Sequence, residues 1–209
     1  MLPTPQYWII SFLDIIRITN YFNPSGERLK KLDFLLLVGV GELIMWIERA
    51  TAEHQRSFND WGKFDRIETK TCRPIIDGQR ISISDKAIIF AFLIDGLEEP
   101  VGRFRYFDIN PRNRSAEFGY TINPKLRKQG WGTQMLITAI DYLMITTELN
   151  KLYCQTAAFN IGSVKLLEKL GFHRDGILRE HHELDGKLWD DYIYSILRSE
   201  WEISRFFNN

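Results

Sequence analysis

Cysteine is scarce in this chain. Only Cys72 and Cys154 occur among 209 residues, too few for a disulfide framework and without the paired spacing of a metal site. They read as free thiols of a reducing compartment. An excess of charge is also missing. Lys and Arg number 27, Asp and Glu 27, which excludes the basic footprint of a general nucleic-acid binder. The apolar run at residues 34–46 is too short to span a bilayer and contains Glu42. The apolar N-terminal stretch carries Asp14 and Arg17 and no small-residue cleavage site, so it does not read as a signal peptide. Repeats and low-complexity tracts are absent. Together these absences predict a cytoplasmic protein with no nucleic-acid, membrane or metal partner.

What remains is ample for a core: 44% of the residues are hydrophobic, and the length suits one domain with an added terminal element. Residues 7–22 place Trp8, Phe12, Ile15 and Ile16 near helical spacing, predicting an N-terminal helical extension over 1–25, followed by a domain over 26–209. Residues 28–37 read as a strand. Residues 41–55 read as a helix, with Leu43, Trp46, Ile47 and Ala50 on one side and a break at 57–62. Strands are expected at 87–93, 101–109 and 115–122, joined by Asp95-Gly96 and by Asn110-Pro111-Arg112-Asn113. A helix at 131–149, a strand at 151–157 and a helix at 161–170 ended by Gly171 follow. Asp185-Gly186 then joins strands at 176–184 and 189–197. The expected class is α+β: a mixed, mostly antiparallel central sheet flanked by helices.

The most informative stretch is Arg127-Lys128-Gln129-Gly130-Trp131-Gly132-Thr133. A strand precedes it and a helix opens within it. Helix N-termini present N–H groups without intrahelical acceptors and carry partial positive charge. The glycines let this backbone approach a ligand, and Arg127 and Lys128 add counter-charge. The pattern points to a pyrophosphate carrier. Residues 33–44 imitate a dinucleotide fingerprint, but Ile44 stands where Gly or Ala is needed, and no alternating βαβ order follows.

Arg127-Lys128-Gln129-Gly130-Trp131-Gly132 resembles the (Arg/Gln)-x-x-Gly-x-(Gly/Ala) loop of the GNAT superfamily of N-acetyltransferases. Ala116-Glu117-Phe118-Gly119-Tyr120 is similar to the strand ahead of that loop. Asn160 to Phe172 resembles the family's Asn-x-x-Ser…Leu-Gly-Phe helix. Asp185 to Tyr192 is similar to the C-terminal hairpin of the branch that modifies ribosomal-protein N-termini, polyamines and amino sugars. The resemblance runs from about residue 92 to the C-terminus.

It implies transfer of an acetyl group from acetyl-CoA to a primary amine, with acetyl-CoA as co-substrate and no metal. Backbone amides from Gln129 to Thr133 would hold the pyrophosphate. Tyr120, Thr121 and Ile122 would lie on a strand splayed from the one holding Tyr153 to Gln155, with the pantetheine arm in the gap. Gly119 is expected to allow a bulge that opens it. Glu117 is the candidate general base, acting through water; an ordinary ion pair with Arg103, Arg105 or Arg114 explains it equally well. Asn160 caps a helix, contacts CoA, or both, and Ser163 lies one turn further. The family's general-acid tyrosine is replaced by Leu167, leaving Tyr192 and Tyr194 as substitutes.

The acceptor would be a small molecule or peptide bearing an amine, walled by Trp46, Phe58 and Trp61. Asp185, Asp190 and Asp191 attract a cationic substrate or form a solvated charge run. His181 and His182 face opposite sides of one strand and read as surface positions. A homodimer stays open. A rival reading is a module that binds acetyl-CoA without turnover, as a sensor or partner subunit.

Overall fold

A computed structural model describes residues 35–40, 43–61, 75–76, 79–80 and 87–207. The N-terminal helix expected at 7–22 and Cys72 lie outside them. The chain runs β1 (Leu35–Val40), β2 (Leu43–Arg49), α1 (Ala52–Trp61), β3 (Ile75–Ile76), β4 (Gln79–Arg80), β5 (Ile88–Ile94), β6 (Gly102–Asn110) and β7 (Ser115–Ile122). A 3-10 turn at Pro124–Leu126 leads to α2 (Trp131–Thr146), β8 (Lys151–Ala157), α3 (Ile161–Lys169), β9 (His173–Leu184), β10 (Lys187–Leu197) and α4 (Arg198–Phe207). Eight strands form one sheet in the order β1-β2-β5-β6-β7-β8-β10-β9, and β3 pairs with β4 separately. The β7–β8 pair is parallel and the other pairs of this sheet are antiparallel.

The expected helix at 41–55 is corrected. Met45 and Ile47 are buried between exposed Ile44 and half-buried Trp46 and Glu48, the period-2 pattern of a strand, and β2 pairs with β5 from Met45 to Arg49. Short apolar runs satisfy both periods, and the neighbouring strand decides. The helix lies later, at Ala52–Trp61, overlapping the end of the expected helix and most of the expected break. Thr51 and His54 cap α1 reciprocally, with His54 N donating to Thr51 Oγ1 at 3.2 Å and Thr51 N to His54 Nδ1 at 3.3 Å. Three residues apart, Phe58 and Trp61 then meet edge-on at 4.9 Å.

Two apolar layers follow from strand alternation. Phe58 and Trp61 of α1 pack on Ala91 and Leu93 on one face. On the other face, Phe90, Phe92, Phe104 and Phe118 pack against Met135, Leu136 and Ile140 of α2, Leu167 of α3 and Trp201 of α4. The helix α4, absent from the sequence reading, is tied down by polar bonds. Trp201 Nε1 donates to Asp141 Oδ1 at 2.8 Å. The Arg198 guanidinium donates to the carbonyls of Met144, Thr147 and Leu149, capping the C-terminal end of α2. Asp185 and Gly186 take φ of 54° and 77°, the left-handed pair of a tight hairpin turn. No described helix is long and apolar enough to cross a membrane.

Candidate active site

Among the described residues, the sheet forks at its single parallel pair. The β7–β8 ladder comprises Ser115↔Lys151, Ala116↔Leu152 and Glu117↔Tyr153. It goes no further, although β7 runs on to Ile122 and β8 to Ala157. Past Glu117, β7 is held from the other side by β6, as far as Gly102↔Ile122. Past Tyr153, β8 is held by β10, as far as Asp191↔Ala157. The two strands therefore diverge while each keeps a partner behind it, and the edges they turn to each other suit an extended ligand.

The fork does not come from a bulge at Gly119, as expected. Gly119 sits in regular register opposite Arg105, and the irregularity of that pair lies between Phe107 and Asn110, where Asp108 takes φ of 48°. The missing side chain at Gly119 instead leaves room for Arg105, whose Nε is 3.0 Å from where a Cβ would stand.

Beyond the fork, the chain turns through exposed Arg127, Lys128, Gln129 and Gly130 into α2. Arg127 Nε donates to Ile122 O at 3.2 Å, holding the turn against the end of β7. Gly130 is the N-cap of α2 in the left-handed conformation, φ 88° and ψ −8°, and no side chain caps the helix. The first N–H groups, those of Trp131 and Gly132, have no acceptor within the helix by its geometry. Gly132 has a second reason to be glycine: a Cβ there would lie 3.0 Å from Leu166 Cδ2 of α3. A fork between parallel strands that leads to an uncapped helix start is a frame for an extended chain ending in phosphates.

The Acetyltransferase (GNAT) domain model matches residues 42–173. The chain belongs to the GNAT acetyltransferase family. It is 28% identical over 121 residues to the uncharacterized N-acetyltransferase p20 of Bacillus licheniformis, covering 58% of this chain and 68% of that protein. It is 31% identical over 107 residues to the spermidine N(1)-acetyltransferase of Vibrio cholerae, covering 51% and 62%. Against most of its curated relatives it thus spans less than two thirds of their length. The crystal structure of spermidine N-acetyltransferase from Vibrio cholerae in complex with CoA and spermine superposes with a TM-score of 0.63 at 21% identity, covering 76% of this chain and 98% of that one. That likeness establishes the fold.

On this GNAT frame, alternation along β7 puts Glu117 and Gly119 on the face that carries α1 and Phe118 and Tyr120 on the face of α2 and α3. Glu117 sits at the fork's apex. After burial, its charge is the next cause that raises the Tyr153 phenol and the Cys154 thiol above their ordinary pKa. Beside the apex, an open hollow of about 290 Å³ is lined by Ser115, Lys151, Tyr153, Asp175 and Ile193. Of these only Tyr153 was named from the sequence, on the strand facing the gap; its place opposite Glu117 depends on the parallel register, which a local pattern does not give.

Tyr120 faces away from Glu117. Its hydroxyl lies 2.7 Å from Ser163 Oγ, and burial pushes its pKa well up. Asn160 caps α3, its Oδ1 accepting from Ser163 N at 3.4 Å. Thr121 faces the α1 side, where Arg103 Nη2 reaches its Oγ1 at 3.4 Å. Tyr194 is wholly buried and donates to Glu168 Oε1 at 2.9 Å. Burial first, then Glu168, raises its pKa to about 12. The Tyr192 ring is covered by the Arg174 guanidinium at 4.6 Å. Both expected tyrosines are thus engaged on the β9 and α3 side of β8. Leu167 is fully buried.

The expected wall residues divide. Phe58 and Trp61 are core positions, 3% and 4% exposed; Trp61 also edges a hollow of about 340 Å³ with Ser57, Asp60, Glu99, Asn123, Pro124 and Lys125. Trp46 packs against the same cluster and donates from Nε1 to Glu48 Oε2 at 3.1 Å. His181 is exposed, whereas His182 is half-buried beside Asp191.

Proposed function

We propose that the chain transfers the acetyl group of acetyl-CoA to a primary amine by direct attack in a ternary complex. The fork carries this reading, because it joins a strand-shaped gap to a phosphate-binding helix start and has a carboxylate at its apex. The pyrophosphate would lie against Gln129 to Thr133, with Arg127 and Lys128 as counter-charges. The pantetheine arm would take the edges of Tyr120, Thr121 and Ile122 on one side and of β8 on the other, and Asn160 and Ser163 would meet it at the start of α3.

A free primary amine is mostly protonated at neutral pH, so attack needs a base. Glu117 takes that proton through water. The nitrogen then bonds to the thioester carbonyl carbon, main-chain N–H groups of β7 past Glu117 stabilise the charge on the oxygen, and the C–S bond breaks. The thiolate takes up a proton from a donor, and the nitrogen, which still carries one hydrogen more than an amide, returns a proton to that donor, so that the net release is the single proton taken by Glu117. We assign the donor role to Tyr120, because it lies on a fork strand beside the Ser163 hydroxyl, a neutral partner that steadies a phenolate, whereas Tyr194 donates to the Glu168 carboxylate, which opposes one. The acceptor is a polyamine, a protein N-terminus or an amino sugar, and similarity to spermidine N-acetyltransferases supports the polyamine. A sensor that only binds acetyl-CoA would need no carboxylate at the apex.

The deciding experiment is thiol release from acetyl-CoA in the presence of polyamines, amino sugars, aminoglycosides and N-terminal peptides. Amine-dependent release is expected. Tight acetyl-CoA binding with no release for any amine would favour the sensor.

A further inference from the structure

The face that carries Glu117 holds a second polar group, on β8, β9 and β10. Asp191 is 3% exposed. Its Oδ2 accepts from Gln155 Nε2 at 2.6 Å. Its Oδ1 has no hydrogen bond; His182 Nδ1 lies 3.5 Å from Oδ2, within hydrogen-bond reach, and 3.4 Å from Oδ1 at an angle that makes only an ion pair when the imidazole is protonated. Two residues earlier on the same strand, the buried Trp189 Nε1 has no acceptor. Phe159 stands edge-on to both His182 and Trp189, at 5.3 and 5.7 Å. Lys187 reaches over the Trp189 ring, its Nζ 3.8 Å from the centroid.

The other hairpin acids have structural duties. Asp190 accepts from Glu180 N at 2.9 Å, and Asp185 forms the turn. Asp191 has half a duty: one oxygen is used and the other is buried without a hydrogen bond. A buried carboxylate is costly unless its lone pairs are satisfied, and such an orphan calls for a ligand or another explanation. Aromatic faces attract ammonium groups, and here the ring of Trp189 already carries one from the chain's own turn.

We propose that Asp191, Gln155, Trp189 and Phe159 form a subsite for a second cationic group on the acceptor, an ammonium or guanidinium. This rests on the acetyl-transfer reading. Asp191 stands opposite Ala157, four residues past Tyr153 and one strand over. At about 3.3 Å per residue and about 4.8 Å between strands, the two charges of the acceptor are roughly 14 Å apart. The bound cation supplies the missing donor to Asp191 Oδ1 and shares the Trp189 ring with Lys187 or displaces it.

The test compares α,ω-diamines of increasing length with the matching monoamines, in the parent protein, Asp191→Asn and Lys187→Ala. The parent is expected to favour a diamine of one length over its monoamine by about tenfold or more in kcat/KM. Asp191→Asn removes that preference through a rise of about 10- to 100-fold in the diamine KM, while activity on the monoamine reports that the variant is folded. Lys187→Ala strengthens the preference, since a competing charge is gone. An unchanged diamine-to-monoamine ratio in Asp191→Asn overturns the proposal, as does a parent with no preference at any length. If the parent acetylates no amine, the acetyl-transfer reading fails, and calorimetric titration of the diamines judges the subsite alone. Binding that Asp191→Asn abolishes sustains it; equal binding, or none, sinks it.

Discussion

The hydroxyl of Tyr120 and the Oγ of Ser163 meet at 2.7 Å, joining β7 on one arm of the fork to the helix that follows the other. The pair ties the arms together where the ladder between the strands has already ended. Burial raises the phenol's pKa and the Ser163 hydroxyl partly offsets it. Tyr120→Phe is expected to cost about 1 kcal/mol of stability from the lost hydrogen bond and to lower kcat by about 10²-fold, with acetyl-CoA affinity retained. Ser163→Ala should match the first effect without the second. Thiol-release kinetics beside calorimetric titration of acetyl-CoA separate the two; an unchanged kcat in Tyr120→Phe would reduce the residue to a tie.

Glu117→Gln keeps the size and hydrogen-bonding reach of the side chain and removes its basicity. The expected outcome is a fall in kcat/KM of about 10²- to 10⁴-fold, with acetyl-CoA bound as before. Equal losses in turnover and acetyl-CoA affinity would assign Glu117 to binding instead.

Gly102 begins β6 directly beneath α2. A Cβ there would lie 2.4 Å from Met135 Sδ and 3.0 Å from Ile122 Cδ1, and Met135 is fully buried. Gly102→Ala is therefore expected to destabilise by about 1–3 kcal/mol through overpacking. Because Ile122 ends the fork strand, acetyl-CoA affinity should fall as well. Urea denaturation and calorimetry check the two effects, and a variant as stable as the parent would show that α2 moves aside freely.

Asp175 clasps three strands. It pairs with Lys151 Nζ at 2.6 Å, accepts from Ser195 Oγ at 2.7 Å and meets His173 Nδ1 at 3.0 Å. These bonds, Lys151 first, hold its pKa down to about 2. The folded value lies below the unfolded one of about 3.9. The stabilisation is therefore complete above the unfolded pKa and is lost as pH falls through about 4 to about 2. Because the clasp is partly exposed, Asp175→Asn should cost about 1 kcal/mol near neutral pH, a deficit that closes toward pH 2. Urea denaturation at pH 7, 4 and 2 tests this; a deficit independent of pH would mean that the carboxylate charge is not the source.

The features legible in the sequence were those set by neighbours along the chain. Strand alternation gave residues 115–122 and 151–157 with the bounds observed, the Asp185-Gly186 turn formed where left-handed backbone was needed, and Gly130 opens a helix beside two cations because that local geometry requires glycine. The family resemblance rested on the same local patterns. What tertiary structure decided depended on which strands pair. Residues 43–49 satisfied a helical period until β5 took them as a neighbour. At the fork β7 stays with β6 and β8 with β10, and the register at Gly119 is regular. Arg198 closes α2 across 54 positions of sequence. Asp191 looked like one of three equivalent hairpin acids, and only the packing of β8 and β9 against β10 buried it and left one of its oxygens without a hydrogen bond. Local sequence fixes backbone conformation within a turn or a strand; burial and the pairing of edges depend on residues far away in the chain, whose arrangement no local pattern encodes.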